Sequence, residues 1–338
     1  MGIKPKHPKL LAGKYRMVEP IGQGAMAVVW RAEMPGPGGK PRSVAVKKMK
    51  IGLVGGHDYI AMFMEEARVG AELRHPNIVQ VFDLVRDSEG TYCLIMEWVP
   101  GIDLRHMLAW RRHLGQPMPW DLATYIGIQA LLGLIAAHER TSAAGTSARV
   151  VHRDISPSNI LLAENGAVKL ADFGLARALD RVRSLTGPGI IKGKLAYIAP
   201  EIAHRAPASP QSDLFAMGCV LWEALAGHPL YEGQNDLAMF QQVQAANIRP
   251  LRSQRADLPK DLAEIVHQAL EPKPERRFAS ARAMSTALGL VLKNSKGFDG
   301  PKALAAAVAE SREHRAKVAQ EEHSDTMELS VTDVEKLS

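Results

Sequence analysis

The stretch from Val150 to Gly174 constrains this chain more than any other. It reads His152-Arg153-Asp154-Ile155-Ser156-Pro157-Ser158-Asn159, an apolar run, a turn at Glu164-Asn165-Gly166, and then Val168-Lys169-Leu170-Ala171-Asp172-Phe173-Gly174. The turn folds Asn159 and Asp172 toward each other. Both carry oxygen donors, the ligands that hard Mg²⁺ prefers when phosphate oxygens and water complete its shell. Asp154 lies on the same loop as Asn159, where a carboxylate can orient a hydroxyl and take its proton.

The rest of the chain falls into place around that stretch. Tyr15 to Arg31 alternates apolar and polar residues about Gly22-Gln23-Gly24, a strand, a glycine turn and a strand. Glycines there let backbone N–H groups close over phosphates. A strand rather than a helix follows, which argues against a dinucleotide-binding turn. Met34 to Ser43 reads as a connecting loop, and Val44-Ala45-Val46-Lys47 as an apolar strand ending in a point charge. A helix is expected over Ile60 to Leu73 and two strands over Val79–Val85 and Tyr92–Glu97. From Leu104 onward the pattern is helical, with a long apolar helix over Pro119–His138 and others at Ser212–Ala226, Asn235–Ala246, Leu258–Leu270 and Ser280–Leu292. Lys293 to Gly300 reads as a linker, Pro301 to Gln320 as a helix, and residues 321–338 as an acidic, Ser/Thr-bearing disordered tail.

Composition narrows the classes. With 46% apolar and 23% charged residues the chain is globular. Its net charge of +6 is unevenly placed, and no basic-aromatic stripe accompanies it, so no nucleic-acid partner is expected. Cys93 and Cys219 stand far apart in apolar surroundings and read as reduced core residues of a cytoplasmic protein. The longest apolar run, Leu122 to Ala137, is interrupted by Thr124 and Gln129 and reads as a buried helix, so no membrane partner is expected.

These motifs stand in family order and spacing, and the chain resembles the soluble bacterial, eukaryote-like (Hanks-type) serine/threonine protein kinases over about residues 12–292. The resemblance rests on Gly22-x-Gly24, Lys47, Glu66 before His75-Pro76, Asp154…Asn159, Asp172-Phe173-Gly174, Ala199-Pro200-Glu201, Asp213 and Arg277. It implies an α+β fold of two lobes. The N-lobe (12–96) is a small antiparallel sheet with one main helix; a hinge (97–101) joins it to a larger helical C-lobe (102–292). Residues 1–11 would be a basic arm and 293–338 an appended linker, helix and tail.

The implied cofactors are ATP and Mg²⁺. Asp154 would be the base, and Asn159 and Asp172 the metal ligands. Lys47, paired with Glu66 in preference to Glu65 or Glu72, would hold phosphates under the Gly22–Val29 loop. Ile21, Val29, Ala45 and Leu161 would enclose adenine, with Met96 as gatekeeper, hinge hydrogen bonds from the Glu97 and Val99 backbones, and Asp103 at the ribose. Asp213 would tie its helix to the catalytic loop, and Arg277 would pair with Glu201. The resemblance implies protein substrates, autophosphorylation, a possible homodimer for it, and an activation loop carrying Ser184 and Thr186. Pro157 resembles the serine/threonine-specific members. Three positions depart from the family: Ala27 replaces the third loop glycine, Ser156 a lysine, and Lys194 a threonine. The expectation is a swap in which Lys194 supplies the charge that Ser156 lacks. The alternative reading is an ATP-binding pseudokinase scaffold.

Overall fold

The computed structural model describes residues 10–24, 27–50, 56–142, 145–173, 195–233 and 235–314. Two lobes meet at a cleft. The smaller is a six-stranded sheet in the order β1-β2-β3-β4-β6-β5. Its strands are β1 (Leu10–Leu11), β2 (Tyr15–Gln23), β3 (Ala27–Pro35), β4 (Pro41–Met49), β5 (Val81–Arg86) and β6 (Tyr92–Glu97), all paired antiparallel. Val44, Val46, Cys93 and Ile95 point to one face and bury it with Tyr15 and Ala32, while Ala45 and Leu94 between them point to the other. The opposite face packs on α1 (Gly56–Glu72) through Phe63 and Ala67.

Two details differ from the sequence reading. The connection expected over Met34–Ser43 is mostly strand, since Met34 pairs with Arg42 and Pro35 with Pro41, leaving a tight turn at Pro37–Gly39. Leu10 and Leu11 leave the basic arm to pair with Arg16 and Tyr15, because Leu11 has an apolar face to cover.

Past the hinge, β7 (Gly101–Asp103), β8 (Ile160–Ala163) and β9 (Val168–Leu170) form a second small sheet. Around it lie α2 (Leu104–His113), α3 (Trp120–His138), α4 (Pro200–Ala203), α5 (Pro210–Ala226), α6 (Asp236–Ala245), α7 (Leu251–Gln254), α8 (Lys260–Ala269) and α9 (Ala281–Leu292). The apolar helix α3 is the core of this lobe. It is long and apolar enough to cross a membrane, yet its residues pack inside against α5 and α9. Helix α5 is apolar nearly all round, as a fully enclosed helix must be. Ser209 starts it with a capping box, and left-handed Gly227 ends it. Both cysteines are buried and free.

Residues 295–314 are part of this lobe. A helix over 300–314, α10, sinks Leu304, Ala307 and Val308 into the C-lobe core. Ahead of it, Ser295 Oγ donates to Asp121 Oδ2 at 3.0 Å and Phe298 meets Tyr125 edge-on. Pro301 then lies against the turn between β8 and β9. There Gly166 has φ +81°, and a Cβ on it would stand 2.1 Å from Pro301 O.

Candidate active site

Lys47 leaves β4 into the cleft, and Glu66 reaches it from the buried face of α1. Lys47 Nζ donates to Glu66 Oε1 and Oε2 at 2.8 and 3.1 Å and to Asp172 Oδ1 at 3.0 Å. One ammonium thus joins both lobes. The competing acids point elsewhere: Glu65 pairs with Arg68, and Glu72 with Arg68 and Arg140. Burial works against the Lys47 charge, but the Asp172 and Glu66 carboxylates outweigh it and hold its pKa above the usual lysine range. Burial pushes the Glu66 carboxyl up to about 7, with Lys47 pulling it back only in part.

The catalytic loop is held from below. Asp213, near the start of α5, accepts from the backbone N–H groups of His152 and Arg153, both at 2.8 Å, and meets His138 Nε2 at 2.8 Å. Arg153 and Asp172 both adopt left-handed backbone, at φ 68° and 64°. Such conformations cost energy and persist only where surroundings fix them. Here His152 fixes both: its Nε2 lies 3.0 Å from Ala171 O, its Nδ1 accepts from Asp154 N–H at 3.3 Å, and its ring packs on Phe173. Burial pushes its pKa down, consistent with a neutral imidazole that donates from Nε2 and accepts at Nδ1.

Asn159 Nδ2 donates to Asp154 O at 2.7 Å and to Asp154 Oδ2 at 2.8 Å. That fixes the Asp154 carboxylate and turns the Asn159 amide oxygen away from it. Ala171 N–H donates to Asn159 O at 2.9 Å, so the loop bearing Asn159 and the strand leading to Asp172 are directly joined. The two oxygen donors expected from the sequence therefore sit across one hairpin, just before β8 and just after β9.

Val29, Ala45, Met96, Val99 and Leu161 belong to one apolar cluster that also takes in Ala171. It is a lining of the kind a flat heterocycle needs. Gly22 pairs with Val29 in the β2–β3 hairpin, and Gly24 N–H donates to Ala27 O at 2.9 Å. A Cβ at Gly22 would meet nothing within 4 Å, so the protein's own packing does not require glycine there. Ile21 is 44% exposed at the rim. At the hinge, the Glu97 N–H donates to Gln80 O at 2.8 Å, and its side chain pairs with Lys169. Asp103 caps α2, accepting from His106 N–H at 2.8 Å through Oδ1.

Ser156 is buried, with its hydroxyl 3.0 Å from that of Ser158. Lys194, Ser184 and Thr186 lie outside the described residues. So do residues 315–338, including the acidic stretch expected to be disordered. Glu201 and Arg277 form the expected pair, at 2.7 Å on both sides of the guanidinium. Sequence reasoning missed His138, the third partner of Asp213. It is one polar residue at the end of an apolar helix, and nothing in its spacing marks it.

A cleft between a curled sheet and a helical lobe, with a shared lysine and a held Asp–Asn pair, is the architecture of the protein kinase fold. A family model described as protein kinase domain matches residues 15–288. Tyrosine-protein kinase MasK of Myxococcus xanthus is 39% identical over 276 residues, covering 82% of this chain and 42% of that protein. Serine/threonine-protein kinase PknL of Mycobacterium tuberculosis is 33% identical over 284 residues, covering 84% and 67%. The crystal structure of the Mycobacterium tuberculosis PknI kinase domain matches with a TM-score of 0.62 at 25% identity, covering 85% of this chain and 99% of that one. The chain belongs to the protein kinase family. It spans about 42% of the length of several curated relatives, MasK among them.

Proposed function

We propose that this domain transfers the γ-phosphate of ATP, with Mg²⁺, to serine and threonine hydroxyls of proteins, its own chain included. The observation that carries the reading is the joined set of Lys47, Glu66 and Asp172 facing the held pair of Asp154 and Asn159. The donor set fits the metal: an amide oxygen and a carboxylate from the protein are the hard oxygen donors that Mg²⁺ takes beside phosphate and water. Bound Mg²⁺ would neutralise charge on the phosphates. The remaining work is done by the chain's own groups. Lys47 holds phosphate oxygens as a point charge, oriented by Glu66. The Gly22–Gly24 turn closes over them. Ala45, Val29 and Leu161 take the base. Asp154, fixed by Asn159, orients the accepting hydroxyl and receives its proton as the new O–P bond forms. Positioning and charge supply most of the acceleration in such transfers.

Serine/threonine selectivity is supported by Pro157 and by the names of several relatives, PknL among them, while MasK is named a tyrosine kinase. Phosphoamino-acid analysis after incubation with labelled ATP and Mg²⁺ separates these. Label on serine or threonine is expected; label on tyrosine alone would overturn the selectivity. Measurable ATP binding with no transfer would favour a scaffold.

A further inference from the structure

Helix α2 connects two places that matter. Its N-terminal end packs against Pro157–Asn159 of the catalytic loop. Its other end meets the end of α10, where the His113 and His314 rings lie 5.1 Å apart. Ten residues of helix separate these ends by about 15 Å. The helix is basic, with Arg105, His106, Arg111, Arg112 and His113 and no acid in its span. Arg105, Ala109, Arg112 and His113 are exposed at helical spacing, so two arginines and a histidine share one solvent-facing stripe. Two neighbouring acids face it. Glu223 takes part of Arg112 at 3.1 Å, and Asp103 lies 3.9 Å from Arg105 while already bonded to His106.

The chain that leaves α10 has the opposite character. Beginning seven residues after His314 it carries Glu321, Glu322, Asp325, Glu328, Asp333 and Glu335 against Lys336, interleaved with Ser324, Thr326, Ser330, Thr332 and Ser338. A helix rises about 1.5 Å per residue and an extended chain about 3.3 Å, so a helical stretch to Gln320 followed by four extended residues carries the chain about 22 Å from His314 to Ser324. That exceeds the length of α2. Acids starting at Glu321 can therefore run back along the helix and bring the following hydroxyls to the catalytic loop.

We propose that the exposed basic stripe of α2 receives residues 321–338 of the same chain and presents their hydroxyls to Asp154, making this tail the preferred intramolecular phosphoacceptor. The inference rests on the phosphotransfer reading above and adds its substrate class: hydroxyls flanked by acids. In the transfer a tail hydroxyl oxygen forms the bond to the γ-phosphorus, the bond to the β-phosphate bridging oxygen breaks, the hydroxyl proton passes to Asp154, and ADP leaves. Opposite charge along the stripe raises the local concentration of the tail beyond what tethering alone gives.

The test uses the full chain with labelled ATP and Mg²⁺, with tail sites mapped by mass spectrometry at early times. A basic generic protein serves as a second acceptor. Tail labelling should be first-order and independent of enzyme concentration. Arg105→Glu with His113→Glu should slow it by about tenfold, the scale of a few charge contacts, and leave the generic protein labelled at the wild-type rate or faster. Adding Glu321→Lys and Glu322→Lys to that variant should restore part of the tail rate, which a merely structural defect would not allow. Undiminished tail labelling in the Arg105/His113 variant would overturn the proposal. So would a tail rate that rises with enzyme concentration, which would assign the tail to a second copy, or label on the generic protein with none on the tail. No label on either acceptor would overturn the phosphotransfer reading itself, and this proposal with it.

Discussion

Two ion pairs in this molecule look alike on paper and differ in what they leave available. Arg277 and Glu201 meet in the C-lobe. All five guanidinium N–H groups have partners: the two Glu201 oxygens and the carbonyls of Gln211, Glu271 and Pro272. The group also lies over the Phe215 ring, 4.8 Å from its centre. Nothing in that knot remains to be exchanged. In the cleft, Lys47 is shared between two carboxylates from different lobes, Glu66 and Asp172. Two anions compete for one cation, and one of them, Asp172, is an oxygen donor suited to a metal. The first arrangement fixes geometry; the second can let Asp172 turn to a ligand while Glu66 keeps the lysine. A saturated pair is structural, and an over-subscribed one is set up for chemistry.

Removing each partner separates them. Arg277→Met strips Glu201 of its cation and leaves three carbonyls short of donors. Breaking a buried pair from one side costs about 3–5 kcal/mol, so the unfolding midpoint should drop by several degrees, and activity should fall with the folded fraction. A variant melting like the wild type would contradict the structural assignment. Lys47→Met strands the buried Glu66 in the same way and should lower melting too, but transfer should fall by about 10²–10³-fold even where the variant stays folded, the scale for losing one fixed charge-stabilising donor.

The third prediction concerns the support behind the cleft. Gly166→Ala places a Cβ against Pro301 O and forces a left-handed alanine, at about 1–3 kcal/mol for the backbone alone. Because that turn joins the strands leading to Asn159 and Asp172, the KM for Mg-ATP should rise along with the loss of stability. A pure stability loss with unchanged KM would confine the turn to folding.

The smallest effect is in pH. Glu66 is raised to about 7 by burial. Between the ordinary glutamate range and about 7 the folded protein holds a proton that the unfolded chain releases. This group's contribution to stability is therefore full at low pH and is lost as pH rises through 7. Activity should move the other way, because Lys47 is oriented by the carboxylate form. Stability and rate profiles of wild type and Glu66→Gln check this: both slopes should vanish in the variant.

The cleft was legible in the sequence because its parts are short-range patterns with chemistry attached. A lysine follows an apolar run, and Asp154 and Asn159 share one loop. Among the helix acids, Glu65, Glu66 and Glu72, only placement on the helix decides, and Glu66 is the one on the buried face. Other features were not legible, for physical reasons. His138 belongs to the Asp213 knot only through tertiary contact across 75 residues. The packing of α10 on the C-lobe depends on which face of an Ala-rich helix finds a groove. Asp103, expected at the ribose, also caps α2, and aspartate is a strong N-cap former by type. The exchange between Ser156 and Lys194 stays a proposal. The buried Ser156 hydroxyl is shared with Ser158, and removal of the Lys194 amine is the direct probe of its other half.

The most direct measurement compares wild type with Asp154→Asn for both Mg-ATP binding and phosphate transfer. Asp154 is held by Asn159 on the catalytic loop, whereas the proposed nucleotide contacts are Lys47 and the apolar lining. The expected result is binding retained and transfer reduced by at least about 10²-fold, the loss typical of a missing general base. Transfer at the wild-type rate, or binding lost together with transfer, would contradict the division of roles.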